Sequence, residues 1–346
     1  MDARRPTSKQ VAALAGMSQT AVSFVLNGRD GGNVSEDARR RILAAADELG
    51  YRPDRIARSM RSNTTTTLGL MTDRIATSPF AGAIVRGAMD RAWTDEHMLL
   101  VIDTASGDGD SPTDVAARRR AAVNELIDRR VDGIIYATMG LTDVEPLDDL
   151  RGTPVVQVNC LSDDPRQIAI VPNDAVGGEV AARELIDAGH REIAVITGPR
   201  DHPATIQRLI GTRRAFAASN VTLKPDRLIY AGGEIDHGLD GARTLFASSV
   251  RPTAVMCFND RVALGVLLAA GQLGIRVPRD LSVIGYDDQE HLAGLTDPAL
   301  STVALPHYEM GYTAADMLLG ATGDLVPEVR RLDCVLIPRG SVGPPG

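Results

Sequence analysis

Cysteine, aromatic residues and long apolar runs are all scarce in this 346-residue chain. Its three cysteines, Cys160, Cys257 and Cys334, are odd in number, far apart and embedded in apolar runs. That excludes a disulfide framework and points to buried free thiols. The six histidines do not pair at metal-ligand spacing, so neither a metal nor a cofactor is expected. No apolar run approaches the ~20 residues needed to span a bilayer, and the first residues are polar rather than signal-like. A cytoplasmic chain with no membrane partner is the expectation. Catalytic signatures are missing as well. There is no GxGxxG after a strand, no GxxxxGK followed by Ser or Thr, and no GxSxG, so an enzyme is not expected.

What is present is an uneven charge. Residues 1–63 hold 11 Lys/Arg against 7 Asp/Glu, whereas residues 64–346 hold 26 against 38, so the net charge of −8 hides a basic head. Such clusters give affinity for phosphate while the acidic remainder keeps the chain soluble. Within the head, residues 7–28 read as a helix, a tight turn at Gly16 and a second helix capped by Ser18. Thr7 or Ser8 can cap the first helix, Ala12 and Gly16 allow close crossing, and Val22 and Val25 lie beneath the second. Two helices this short cannot bury an apolar face alone. A third follows, capped by Ser35, with Ile42, Ala45, Ala46 and Leu49 at helical spacing. This is the pattern of a helix-turn-helix, which places one helix in the major groove of DNA. A generic helical hairpin is the plainer alternative.

Beyond residue 67, short β-rich runs alternate with longer amphipathic stretches, as in a parallel sheet flanked by helices. Strands are expected at 67–72, 98–103, 133–137, 154–158, 168–171, 192–197, 253–258 and 281–285. Helices are expected at 80–95, 113–130, 175–188, 205–219, 236–249 and 260–273. A series this long fits two lobes better than one sheet, and facing lobes make a small-molecule cleft at the carboxyl ends of the strands.

These segments together resemble the lactose-repressor and galactose-repressor (LacI/GalR) family of transcription regulators. The likeness runs from Val11-Ala12 through Asn27-Gly28, Val34-Ser35, Leu49 to Pro53 and Asp54 to Met60. It continues in the body at Val131 to Ile135, Gly189-His190, Ile196 to Gly198, Arg208 to Gly211, Asn259-Asp260 with Ala263 and Gly265, and Val283 to Asp288. The resemblance implies an all-α helix-turn-helix head at 1–53, a hinge helix and linker at 54–63, and an α/β two-lobed periplasmic-binding-protein-like body at 64–346. The implied N-lobe is about 64–161 plus 292–322, and the C-lobe about 162–291 plus 323–340. The implied function is repression at a palindromic, double-stranded operator by a homodimer that a small effector controls. A transporter's solute-binding protein shares such a body, but the basic head argues against it.

Carried onto this sequence, the resemblance makes Gln19, Thr20 and Phe24 the base-reading residues, with Ser18, Ser23 and Arg29 as phosphate contacts. Phe24 departs from the Arg that many relatives carry. It cannot donate a hydrogen bond, so it either meets thymine methyls or simply packs. In the hinge, Ala57 and Met60 fall where family members pack paired helices and wedge the minor groove, with Arg55, Arg58 and Arg61 beside them. The effector positions are Phe80, Asn159, Arg208, Asn259, Asp260 and Asp287, suited to a polyol or sugar. Ala81 and Ile235 stand where many relatives place stacking aromatics, and aromatics are only 3% of the chain, which leaves a polar metabolite other than a sugar open. The C-terminal stretch from Ile337 has no heptads, so no tetramer-forming helix is expected.

Overall fold

Three short helices each carry the cap chemistry needed to start or stop them. The computed structural model describes residues 6–26, 34–52, 64–73, 79–104, 111–248, 250–320 and 325–346. It divides into two units, Met1–Thr65 and Thr66–Gly346. In the first, α1 (Ser8–Ala15) opens on a reciprocal Thr7/Gln10 cap and ends at Gly16 with φ of 64°. Only a residue tolerant of the left-handed region turns the chain there. Ser18 accepts from the Ala21 N–H at 3.1 Å to start α2 (Gln19–Leu26), and Ser35 caps α3 (Glu36–Glu48). Val11, Ala12, Ala15, Val22, Val25, Ile42, Ala45 and Ala46 form one shared core.

The second unit is two α/β lobes. The N-lobe sheet runs in the order β11-β5-β4-β3-β1-β2, built from β1 (Thr67–Thr72), β2 (Met98–Asp103), β3 (Gly133–Asp143), β4 (Val155–Leu161), β5 (Ile168–Asn173) and β11 (Glu328–Asp333). All its pairings are parallel. Helices α4 (Pro79–Thr94), α5 (Pro112–Asp128) and α10 (His307–Gly320) accompany it. The C-lobe sheet runs β7-β6-β8-β9, from β6 (Ile193–Thr197), β7 (Leu228–Tyr230), β8 (Ala254–Cys257) and β9 (Ser282–Ile284). Its helices are α6 (Asp174–Asp187), α7 (Pro203–Ala218), α8 (Ile235–Phe246) and α9 (Asp260–Gln272). A two-stranded antiparallel sheet of β10 (Thr302–Ala304) and β12 (Val335–Ile337) completes the unit.

The expected lobe boundaries need correction. The chain leaves the N-lobe at 173/174 rather than 161/162, because β5 pairs with β4 through Gln157–Ala169 and Val158–Ile170. It returns at α10 rather than at 292, since β10 is tied to the C-lobe by Gly285 N–H donating to the Ser301 carbonyl. It stays until β11 ends at Asp333 rather than 322. Strands β7, β10, β11 and β12 and helix α10 were not among the expected elements.

Paired helices approach closely through glycine. A methyl at Gly178 of α6 would overlap the Arg208 carbonyl, and one at Gly211 of α7 would overlap the Ala175 carbonyl. Gly87 and Gly311 do the same between α4 and α10. Among the described residues no helix is long and apolar enough to cross a membrane. The three cysteines are buried and free, and burial pushes the Cys160 and Cys334 thiols up to about 12.

Gly211→Ala should therefore lower stability by about 1–3 kcal/mol, the usual cost of overpacking, read as a fall in the thermal midpoint. Gly271→Ala, at a helical position with open space around it, should cost nothing and gain up to about 1 kcal/mol.

Candidate functional site

Asp174 is the first residue of α6, and the glycine contact between α6 and α7 brings it beside Arg208. Arg208 Nε donates to Asp174 Oδ1 at 2.7 Å, and Arg208 Nη1 donates to the Phe258 carbonyl at 2.5 Å. Asp287 Oδ1 lies 3.8 Å from Nη2. The guanidinium carbon stacks 3.6 Å from the Tyr286 ring centre and 4.9 Å from that of Phe258. Burial works against the charge of Arg208, but Asp174, Tyr286 and Asp287 outweigh it and hold the pKa above its ordinary value. Asp287 is driven well above the usual carboxylate range, by burial first and with Arg208 opposing.

This cluster forms the floor of a cavity of about 150 Å³ between the lobes. Asn159 and Asp287 both enter it from positive φ, 60° and 102°, a backbone region that Asn and Asp tolerate better than most residues. Asn159 Nδ2 donates to the Thr138 carbonyl at 3.1 Å, and Thr138 Oγ1 donates to the Asn159 carbonyl at 2.7 Å. Asn259 caps α9 by accepting from Val262 N–H, while its Nδ2 donates to the Gly233 carbonyl. Beside the cavity, Leu141, Leu161 and Val171 of the N-lobe pack against Ala204 and Phe258 of the C-lobe.

Four expected effector residues, Asn159, Arg208, Asn259 and Asp287, line this cavity. Asp260 does not. It is fully buried and accepts from Thr302 Oγ1 and Gln289 N–H, both at 2.6 Å, so it ties the start of α9 to β10 and the loop after β9. Phe80 lies in the first turn of α4, and its side chain is outside the described residues.

Sequence reading missed Asp174, Phe258, His202 and His307 as lining residues. His202 caps α7, its Nδ1 accepting from Ala204 N–H at 3.3 Å, and its ring meets Phe258 edge-on at 5.7 Å. Burial, then Arg208, lowers its pKa. The signal available for Asp174 and His202 was position, since each sits between a strand's carboxyl end and the following helix.

In the head, Gln19, Thr20 and Phe24 are exposed on one face of α2, and Ser23 is half-buried between them. Phe24 is 42% exposed and takes no part in the head's core. Among the described residues it packs into no core. Ser18, besides capping, keeps its hydroxyl proton to donate. Arg29, Arg55, Ala57, Arg58, Met60 and Arg61 lie outside the described residues.

A transcription regulator with a DNA-reading head and a small-molecule-sensing body is what these two units define, and the chain belongs to the LacI family. Residues 7–54 match the model described as bacterial regulatory proteins, lacI family, and residues 182–342 match a periplasmic binding protein-like domain. The chain is 34% identical over 326 residues to the HTH-type transcriptional repressor PurR of Vibrio campbellii, covering 94% of each. It is 33% identical to the ribose operon repressor of Haemophilus influenzae, covering 90% of this chain and 91% of that one. Its structure is similar to the lac repressor dimer bound to operator and the anti-inducer ONPF, with a TM-score of 0.79, 25% identity and coverage of 98% and 100%. The family and these relatives are transcriptional repressors rather than enzymes.

His307 opens a pH prediction. Burial, with Arg208 adding to it, pushes its pKa down to about 4 from an ordinary 6.5. The unfolded chain takes up this proton first, so the residue's contribution to stability is complete above pH 6.5 and is lost as pH falls through 4. Thermal midpoints across that window should fall less steeply in His307→Gln than in the parent. Equal slopes would remove His307 as the cause.

Proposed function

We propose that this chain represses transcription as a cytoplasmic homodimer on a near-palindromic operator, under the control of a small polar effector held between the lobes. The observation that carries the DNA half is the outward face of α2. Gln19, Thr20 and Phe24 stand exposed on a helix that buries Val22 and Val25 in the head's core. Gln can address adenine, Thr a base edge or methyl, and Phe24 thymine methyls. The hinge assignments, Ala57 and Met60 with Arg55, Arg58 and Arg61, and the phosphate contacts Ser18, Ser23 and Arg29 belong to the same proposal. A hinge helix this short needs a second copy and bent DNA to fold.

Support for the homodimer comes from the N-lobe surface. Met89 and Trp93, one turn apart on α4, and Met98 of the edge strand β2 are 49%, 79% and 55% exposed, and among the described residues no strand pairs with the outer edge of β2. Proteins cover such edges. The effector half rests on the convergence of Asn159, Arg208, Asn259 and Asp287 on one cavity.

Selection of bound duplexes from a random pool should return a two-fold symmetric site whose affinity falls roughly 10³-fold or more between 50 and 200 mM salt. Phe24→Ala should weaken that site by about 1–3 kcal/mol, with stability changed by no more than about 0.5 kcal/mol. Recovery of unrelated duplexes bound equally well would defeat the reading. Trp93→Asp should convert the dimer to a folded monomer in light scattering and weaken operator binding with it. An unchanged mass would place the dimer interface elsewhere.

A further inference from the structure

The end of β3 leaves its own sheet to reach the other lobe. β3 runs for 11 residues where β4 has 7 and β5 has 6. Its pairing with β4 passes from Ala137–Val158 to Thr142–Cys160, so Thr138 to Leu141 bulge out opposite the single residue Asn159. Bulges re-aim the side chains they carry. This one is fastened at several points. Thr138 and Asn159 exchange two hydrogen bonds, Met139 N–H donates to Asp73 Oδ1 at 3.0 Å, and Thr142 Oγ1 donates to the Gly140 carbonyl at 2.8 Å.

What the bulge delivers to the C-lobe is apolar. β3 meets α7 there. Leu141, 4% exposed, is buried in one cluster with Val171 of its own lobe and Ala204 of α7, and Phe258 packs against that cluster. Gly140 faces the cap of α7, since a methyl there would lie 3.9 Å from His202 Nε2. Phe258 is in turn the residue whose carbonyl accepts from Arg208 Nη1 and whose ring lies 4.9 Å from the guanidinium. Its ring also meets His202 edge-on. A chain of contacts therefore runs from an N-lobe strand, through Phe258, to Arg208.

We propose that Leu141 is an interlobe latch and a positioning residue: seated on α7, it keeps Phe258 in the place from which Phe258 fixes Arg208, and it lets go when the lobes part. The latch stands on lobe geometry, whereas its bearing on regulation rests on the reading of the cavity as the effector site. Release bares apolar surface on both lobes at once, so seated and released forms are two states rather than a continuum. The cluster is only five side chains, small enough for a ligand that prefers one arrangement to shift the balance.

The test uses the full-length chain without ligand. Cys160, Cys257 and Cys334 are buried, so spin labels go to Arg166→Cys in the N-lobe and Asp236→Cys in the C-lobe, where the native side chains are 84% and 77% exposed. Dilution with unlabelled chain confines the measured distance to one protomer. Leu141→Asp sets a carboxylate against apolar side chains and should raise the ratio of longer to parental distances at least about tenfold. Leu141→Met, of similar volume, should keep the parental distribution. Gly140→Leu, which retains Leu141 and pushes on His202, should lengthen the distance in the same sense and serves if Leu141→Asp folds poorly.

The His202 imidazole gives a second readout. Burial, then Arg208, holds its pKa below the ordinary 6.5, with Asp174 opposing. Followed by proton NMR and assigned through His202→Gln, it should rise toward 6.5 in the released variants. His190, buried and bonded to Thr253, Ser282 and Gly343, should keep its own lowered value. Parental distances with an unmoved His202 in both Leu141→Asp and Gly140→Leu overturn the latch. An equal shift of His190 overturns it too, because Leu141 would then hold the C-lobe fold rather than the lobe arrangement. The reading beneath it is tested apart, since released variants should differ from the parent at least about fivefold in affinity for the selected operator duplex. Parted lobes with unchanged affinity would keep the latch and remove the lobe arrangement as the control of DNA binding.

Discussion

A guanidinium buried among carboxylates and rings is the constraint around which the body is arranged. Arg208 joins the start of α6 through Asp174, the β8–α9 connection through the Phe258 carbonyl, and the loop after β9 through Asp287. An arginine that is 12% exposed beside an aspartate that is 1% exposed has lost most of its hydration. Such a charge survives only where its partners are placed well, and removal of one partner strands the others. The Gly178/Gly211 contact fulfils that condition, setting the distance between α6 and α7 that the ion pair requires. Packing and site chemistry are here one feature.

The head obeys different physics. Its core is made of alanines, valines and Ile42. The outward positions of α2 are Gln19, Thr20 and Phe24. Phe24 stands 42% exposed there, a ring outside the core that the described residues form.

The head was legible because its signals are local: Thr7, Ser18 and Ser35 are caps, Gly16 a turn, and Ile42 with Ala45 a helical stripe. Strands β1, β2 and β6 were legible for the same reason, as continuous apolar runs. The strands and helix that were missed depend on partners far away in sequence. β11, reading Glu-Val-Arg-Arg-Leu-Asp, has no apolar run and is a strand only because β5 gives it a ladder. The lobe boundaries slipped with it. At the site, Arg208 and Asp287 were found by resemblance, whereas His307 was hidden with the unrecognised α10. Asp260 was assigned to the effector site by the same resemblance, with Asn259, but as the first residue of α9 it points away from the cavity. In this fold that is toward Thr302 and Gln289.

The three places where the chain passes between lobes lie at Asn173/Asp174, between Ala304 and His307, and around Cys334. Asp174, Leu305 and His307 also form the cavity wall. A pair of jaws usually grips with its tips and turns on a distant pin. Here the object held would rest on two of the three pins, so even a very small molecule has purchase on the angle between the lobes.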